Sequence, residues 1–253
     1  MTSTFVVLCP EGVVIAADSR ITYQLHPQNH WKIGHIDNVQ KIFHLKESNV
    51  CGSYWGLAEI QGKPILQHLQ DFEKSQLSRS DDVDSIAKKM KTYLENIAPK
   101  IERRMGLHIT GYIDNTPKLR HVFHEFWHIN GEFVNEDCHA ECYLPPLGNK
   151  VMYREPKEYP VLFNGDNLVA NALFNYAPKF PPYSAIVPHK LSLGDCVELA
   201  KLIIGMSIHR LNYFFDQRMQ QNKVPKTVGG PIYIATITPE KGFNLSQYDP
   251  NKL

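Results

Sequence analysis

Three groups of residues in this chain have the types and spacing to do chemistry. The first is Thr2, directly behind Met1. Methionine aminopeptidases usually remove an initiator methionine that precedes a small residue, so the expected mature chain begins with threonine. Such a residue carries a hydroxyl nucleophile and an α-amine with an ordinary pKa of about 7.7–8.0, a base usable near neutral pH. Threonine activated by its own N-terminal amine is an established nucleophile arrangement. The second group, His124-Glu125-Phe126-Trp127-His128, matches the zinc-peptidase pattern His-Glu-x-x-His, which works only on a helix, where both histidines share a face. The third, Cys138-His139-Ala140-Glu141-Cys142, holds ligand-type residues but has no second Cys/His pair at structural-zinc spacing.

The elements around these groups decide between them. Residues 4–8 and 12–17 are apolar, β-branched runs joined by Pro10-Glu11-Gly12, which predicts a hairpin opening directly on Thr2. Its second strand ends at Asp18-Ser19-Arg20. Further strands are expected at 40–45 and 49–55, then helices from Leu57 to Gln76 and over 82–105. The second of these carries Val83, Ile86, Met90, Tyr93, Leu94 and Ile97 at helical spacing, with Ser80, Asp81 and Asp82 as N-cap candidates. Residues 107–113 and 119–129 read as strands. The second contains the His-Glu-x-x-His match, and at about 3.3 Å rise per residue its histidines stand roughly 13 Å apart, too far to share one zinc. A short strand at 161–163, a helix over Asp166–Tyr176, a long helix from Leu193 to Gln220 and strands at 231–237 and 242–245 complete the chain.

Composition narrows the class. Lys and Arg number 27 against 26 Asp and Glu, with no basic tail, so nucleic acid is not expected as a partner. No apolar run is long enough for a membrane span and no basic segment precedes the first strand, so neither membrane nor export is expected. Five dispersed cysteines (Cys9, Cys51, Cys138, Cys142 and Cys196) read as reduced thiols of a cytoplasmic protein.

The N-terminal run Thr2-Ser3-Thr4 through Gly12-Val13-Val14-Ile15-Ala16-Ala17-Asp18-Ser19-Arg20 resembles the start of proteasome β-type subunits, a branch of the N-terminal nucleophile (Ntn) hydrolases. Three later segments resemble the same family: Val39-Gln40-Lys41-Ile42-Phe43-His44-Leu45, Cys51-Gly52-Ser53-Tyr54-Trp55-Gly56-Leu57-Ala58, and Val228-Gly229-Gly230-Pro231 with the strand after it. The resemblance covers most of the chain and is loose over about 106–160. It implies one domain over 1–253, with an α+β fold built as a four-layer αββα sandwich of two antiparallel sheets flanked by helices.

The resemblance also implies a site. Thr2 would be the nucleophile, Lys41 the ammonium beside it, Asp18 the partner of Lys41, and Gly56 the N–H donor to the oxyanion. Arg20 matches the family's arginine near the nucleophile. Thr22 and Ala58 fall where substrate is bound as an added strand, and Tyr54 and Ile21 would line the first side-chain pocket, a limited apolar one. Two places depart from the family. Asn164-Gly165-Asp166-Asn167 replaces a Gly-Ser-Gly turn, and Pro225 and Val228 stand where the family has Asp and Ser; Asp166 is the candidate to supply the missing carboxylate. The segment Tyr23 to Asp37 is longer than the family's connection and is a candidate lid or subunit contact. With no helix ahead of Thr2, the chain resembles β-type rather than α-type subunits. The implied activity is a threonine-type peptidase of bacterial or archaeal type, with no cofactor, acting on peptides or unfolded protein as a homo-oligomeric ring, with an ATP-dependent unfoldase as a further partner. The alternatives are a catalytically silent scaffold subunit and a non-proteolytic Ntn amidase or peptide ligase.

Overall fold

The computed structural model describes residues 2–24, 33–97, 105–124, 161–165, 168–176, 186, 188–213 and 228–252. Strands β1 (Ser3–Cys9) and β2 (Gly12–Asp18) form the expected hairpin, from Cys9 opposite Gly12 to Thr4 opposite Ala17. Every residue of both strands is buried. Unbroken apolar runs have no polar face to give to solvent, so both sides must be covered. β3 (Ile21–Gln24), which runs into the segment Tyr23 to Asp37, and β4 (Ile33–Ile36) inside it make a separate two-stranded sheet. Residues 25–32 between them lie outside the described residues.

β5 (Ile42–Leu45) and β6 (Val50–Trp55) follow, then two short strands, β7 (Glu59–Ile60) and β8 (Lys63–Pro64). Helix α1 therefore spans Ile65–Gln76 and does not begin at Leu57. Gln61 and Gly62 turn with φ of 52° and 76°, and Pro64 biases the residue before it towards extended backbone, so a helix can start only beyond the proline. α2 (Val83–Ile97) begins as expected: Asp82 Oδ1 accepts the Ser85 N–H at 2.8 Å, an N-cap bond. Its stripe of Val83, Ile86, Met90 and Leu94 is buried, each contributing about 1.5–3 kcal/mol by leaving water.

β9 (Met105–Ile113) and β10 (Thr116–His124) pair along their whole length around Asp114 and Asn115, both at positive φ. His124 is the last residue of β10; the rest of the His-Glu-x-x-His match, and Cys138 to Cys142, lie outside the described residues. Among the described residues no three His, Cys, Asp or Glu side chains cluster to hold a metal. β11 (Val161–Gly165) comes next, then α3 (Leu168–Asn171), which passes into a wider π-turn over Ala172–Tyr176. α4 (Leu193–Tyr213) starts with a capping box: Ser192 N–H donates to Asp195 Oδ2 at 3.0 Å and Asp195 N–H to Ser192 Oγ at 3.1 Å. β12 (Ile232–Thr238) and β13 (Gly242–Tyr248) end the fold.

The strands make two larger antiparallel sheets, ordered β11-β1-β2-β12-β13 and β10-β9-β6-β5. Three apolar clusters hold these elements. One joins α1 and α2 to β5, β6, β9 and β10 through residues such as Phe72, Met90 and Leu107. Another joins α3 and α4 to the five-stranded sheet through Phe5, Ala200 and Ile204. The third, with Val6, Ile15, Ile42, Cys51, Leu119 and Ile237, unites residues of both sheets. Alternation along β1 assigns Phe5, Val7 and Cys9 to the helix side and Val6 and Leu8 to the side facing the other sheet. Thr2 and Thr4 have the parity of the inter-sheet side. Cys9, Cys51 and Cys196 are free thiols, and among the described residues no helix is long and apolar enough to cross a membrane.

Candidate active site

The Asp18 carboxylate is the node of the site. It stands at the end of β2, one residue beyond the Ala17 that pairs with Thr4. Both of its oxygens are used. Oδ1 accepts the Ser3 N–H at 2.9 Å and the Lys41 ammonium at 2.8 Å. Oδ2 accepts the Arg20 N–H at 3.2 Å and the Gly229 N–H at 3.1 Å. Four donors from four segments thus meet on one carboxylate that is fully buried. A buried charge is tolerated only when it is paired and hydrogen-bonded in this way.

Lys41 enters from the residue ahead of β5 and is 1% exposed. Its ammonium also donates to the Arg20 carbonyl at 2.6 Å, and its own carbonyl accepts the Tyr54 N–H at 3.0 Å, locking it to β6. Loss of hydration pulls the Lys41 pKa below its ordinary value, against the pull of Asp18 in the other direction. Because Ser3 N–H and Lys41 Nζ share Asp18 Oδ1, the ammonium is held one residue from Thr2. Thr2 itself is 5% exposed. Its carbonyl lies against Gly165, where φ is +84° and a Cβ would sit 1.5 Å from the Thr2 oxygen. Only glycine permits that approach.

A second layer braces this node. Arg20 holds Asp37 with two bonds, Nε to Oδ1 at 2.7 Å and Nη2 to Oδ2 at 2.8 Å. The pairing holds the Asp37 carboxyl below the usual carboxylate range and raises Arg20. The guanidinium lies over Gly229, where a Cβ would come within 2.5 Å of its Cζ. Ser19 N–H donates to the Gly229 carbonyl at 3.1 Å, and the Ser19 carbonyl accepts the Val39 N–H at 3.0 Å. The Val228-Gly229-Gly230 segment, β2 and the residues before β5 are therefore one bonded unit.

The remaining sequence candidates fall around it. Gly56 follows β6 at φ 86°, exposed, two residues after Tyr54. Tyr54 is buried among the residues packed under α1 and α2, its hydroxyl donating to the Gln40 carbonyl at 3.3 Å. Ile21 and Thr22 lie on β3, Thr22 opposite His35, with the Thr22 hydroxyl buried and without a partner. The Ala58 carbonyl accepts the Ile65 N–H at 3.0 Å. Val228 is fully buried in the apolar cluster under α4. Asp166 and Pro225 lie outside the described residues. The sequence reading missed Gly165 as the contact of Thr2, although the φ-permissive residue types of Asn164-Gly165 were a signal for it. It also missed Ser53, His108 and Asn164, which join the two sheets near Thr2.

No protein-family model and no curated protein matches the sequence. Among solved structures the chain is similar to an Anbu (Gly-1) mutant from Hyphomicrobium sp. strain MC1, with a TM-score of 0.55 over 98% of this chain and 87% of that one, at 13% identity. At that identity the likeness establishes the fold alone: this is a mixed α+β chain that shares the fold of that protein.

Proposed function

We propose that the chain is a threonine-type peptidase in which Thr2 becomes the first residue by removal of Met1. The observation that carries this reading is the Asp18 node, which fixes a buried ammonium one residue from a threonine that opens the first strand. In the proposed reaction the Thr2 hydroxyl attacks a peptide carbonyl and the α-amine, directly or through a water, takes its proton. The Lys41 ammonium favours the neutral form of that amine and the developing alkoxide. The Gly56 N–H bonds the oxyanion, a donor worth roughly 3–4 kcal/mol where one has been removed in other enzymes. The tetrahedral intermediate collapses with the proton passing to the leaving amine, and water then hydrolyses the ester on Thr2. Asp166 is the proposed carboxylate orienting the α-amine. Thr22 and Ala58 would bond the peptide as an added strand, with Ile21 and Tyr54 limiting the first side-chain pocket and Arg20 holding the segment in place.

The same reading takes the whole chain as one αββα sandwich domain, working in the cytoplasm as a homo-oligomeric ring that receives peptide or unfolded protein, with an ATP-dependent unfoldase as partner. Its test is hydrolysis of fluorogenic peptides by wild type and by T2A and T2S. Turnover lost in T2A and retained in part by T2S supports it; turnover unchanged in T2A overturns it. One observation favours a second reading, a silent scaffold subunit: Val228 fills an apolar core position where the family carries a serine beside the nucleophile. Failure of wild type to hydrolyse any peptide while still assembling would select it. Capture of the acyl group by an added amine would select the amidase or ligase reading instead.

A further inference from the structure

The inter-sheet layer is apolar along most of its length and turns polar near Thr2. Ser53 on β6 and its register partner His108 on β9 belong to one sheet, and His108 reaches across to Asn164 on β11 of the other: Ser53 Oγ lies 3.0 Å from His108 Nδ1, and His108 Nε2 lies 2.6 Å from Asn164 Oδ1. The amide oxygen can only accept, so His108 carries its proton on Nε2 and Nδ1 accepts from the Ser53 hydroxyl. Burial lowers the His108 pKa to about 4, so the imidazole is neutral and donates to one sheet while accepting from the other. Beside it, the His121 ring lies 5.1 Å away, its Nε2 accepting the Trp55 Nε1–H at 3.1 Å. These are the residue types of a hydrolase triad, yet Ser53 and His108 are both 0% exposed. No substrate carbonyl reaches Ser53, so nucleophilic work is excluded and a mechanical role remains.

That role follows from what Asn164 is joined to. Asn164 is the register partner of Thr4, and the next residue, Gly165, pairs with Ser3 and abuts the Thr2 carbonyl. Gly165 is the end of β11, and among the described residues β11 is an edge strand that pairs on one side, with β1. A strand end of this kind frays unless something ties it down. The Asn164 side chain ties it to the second sheet, the sheet that carries Tyr54 and, through it, the backbone of Lys41. We infer that the Ser53–His108–Asn164 chain positions Thr2 against Lys41 by anchoring the end of β11, and that His108 is a positioning residue. The kinetic consequence rests on the threonine-peptidase reading; the anchoring does not.

The test compares wild type, H108Q, H108L and S53A. Gln offers one acceptor and one donor and can replace both bonds; Leu offers neither. The expected result is a loss in kcat on the order of a hundredfold in H108L at nearly unchanged KM, the penalty typical of a misplaced reacting group. H108Q recovers most of it, and S53A, which folds most easily, loses less. Amide hydrogen exchange is read on the same proteins. In H108L, residues 3–5 and 161–165 exchange about tenfold faster while β12 and β13 are unchanged. H108L and S53A with wild-type kcat per folded molecule, or with exchange raised uniformly over the whole chain, overturn the inference. A wild type that hydrolyses nothing removes the peptidase reading alone. Exchange then decides: faster exchange confined to the two segments supports the anchor, and unchanged exchange refutes it.

Discussion

At the residue scale the site is asymmetric. Asp18 has three backbone N–H donors besides Lys41, whereas the Lys41 ammonium has Asp18 and one carbonyl. The two partners should therefore differ in what their removal does. Asp18→Ala strands a buried ammonium and three backbone donors and is expected to cost about 3–5 kcal/mol of stability. Lys41→Met leaves Asp18 with three N–H bonds and should cost clearly less, while lowering kcat about a hundredfold or more. Urea unfolding of the two variants checks the order, and equal costs would contradict a carboxylate held mainly by the backbone. Thr2 stood out in the sequence as a small residue directly behind Met1, whereas Asp18 and Lys41 were marked only by the resemblance, since a carboxylate after an apolar strand or a lysine before one gives no sign of its own. His108 was not marked at all: a histidine inside a buried strand gives no local sign that its partners come from two other strands.

Glycine at close approaches decides the element scale. Gly165 meets the backbone of Thr2, which cannot rotate away, and holds φ at +84°. Gly165→Ala is thus expected to push β11 off β1 at the residue that matters, with peptide turnover falling more than tenfold and a stability loss of about 1–3 kcal/mol. For Gly229→Ala the nearest atoms are those of the Arg20 guanidinium, a side-chain end that can shift; it should loosen the Arg20–Asp37 pair with a smaller effect on both quantities. Thermal melting and turnover side by side test the pair, and a harmless Gly165→Ala would sink the proposed contact. The hairpin β1–β2, the helix α2 with its cap and stripe, and the pair β12–β13 could be read locally, since periodicity and turn residues define them. The start of α1 could not, because the Gln61-Gly62 turn and Pro64 override a helical spacing that looked continuous from Leu57. The order of strands in the two sheets is a long-range property: the resemblance implied two antiparallel sheets flanked by helices, and their strand order comes from the structure.

For the whole molecule, the buried histidines set a pH dependence. His108 has a folded pKa of about 4 against an ordinary 6.5, and His121 is lowered in the same direction by burial. Below pH 6.5 the unfolded chain takes up protons that the folded chain refuses, so stability is full above that pH and falls as pH drops towards 4. His108 alone accounts for about 3 kcal/mol at most. Urea titrations at pH 7 and pH 4.5 should show the fall, H108Q should flatten it, and a stability that rises on acidification would contradict it. The central claim concerns Thr2, and intact mass before and after an epoxyketone that requires both a hydroxyl and a free amine on an N-terminal threonine tests it most directly. The account predicts a chain beginning at Thr2 that gains one stoichiometric adduct. Met1 retained even after aminopeptidase treatment, or a free Thr2 that takes up no adduct, would contradict it.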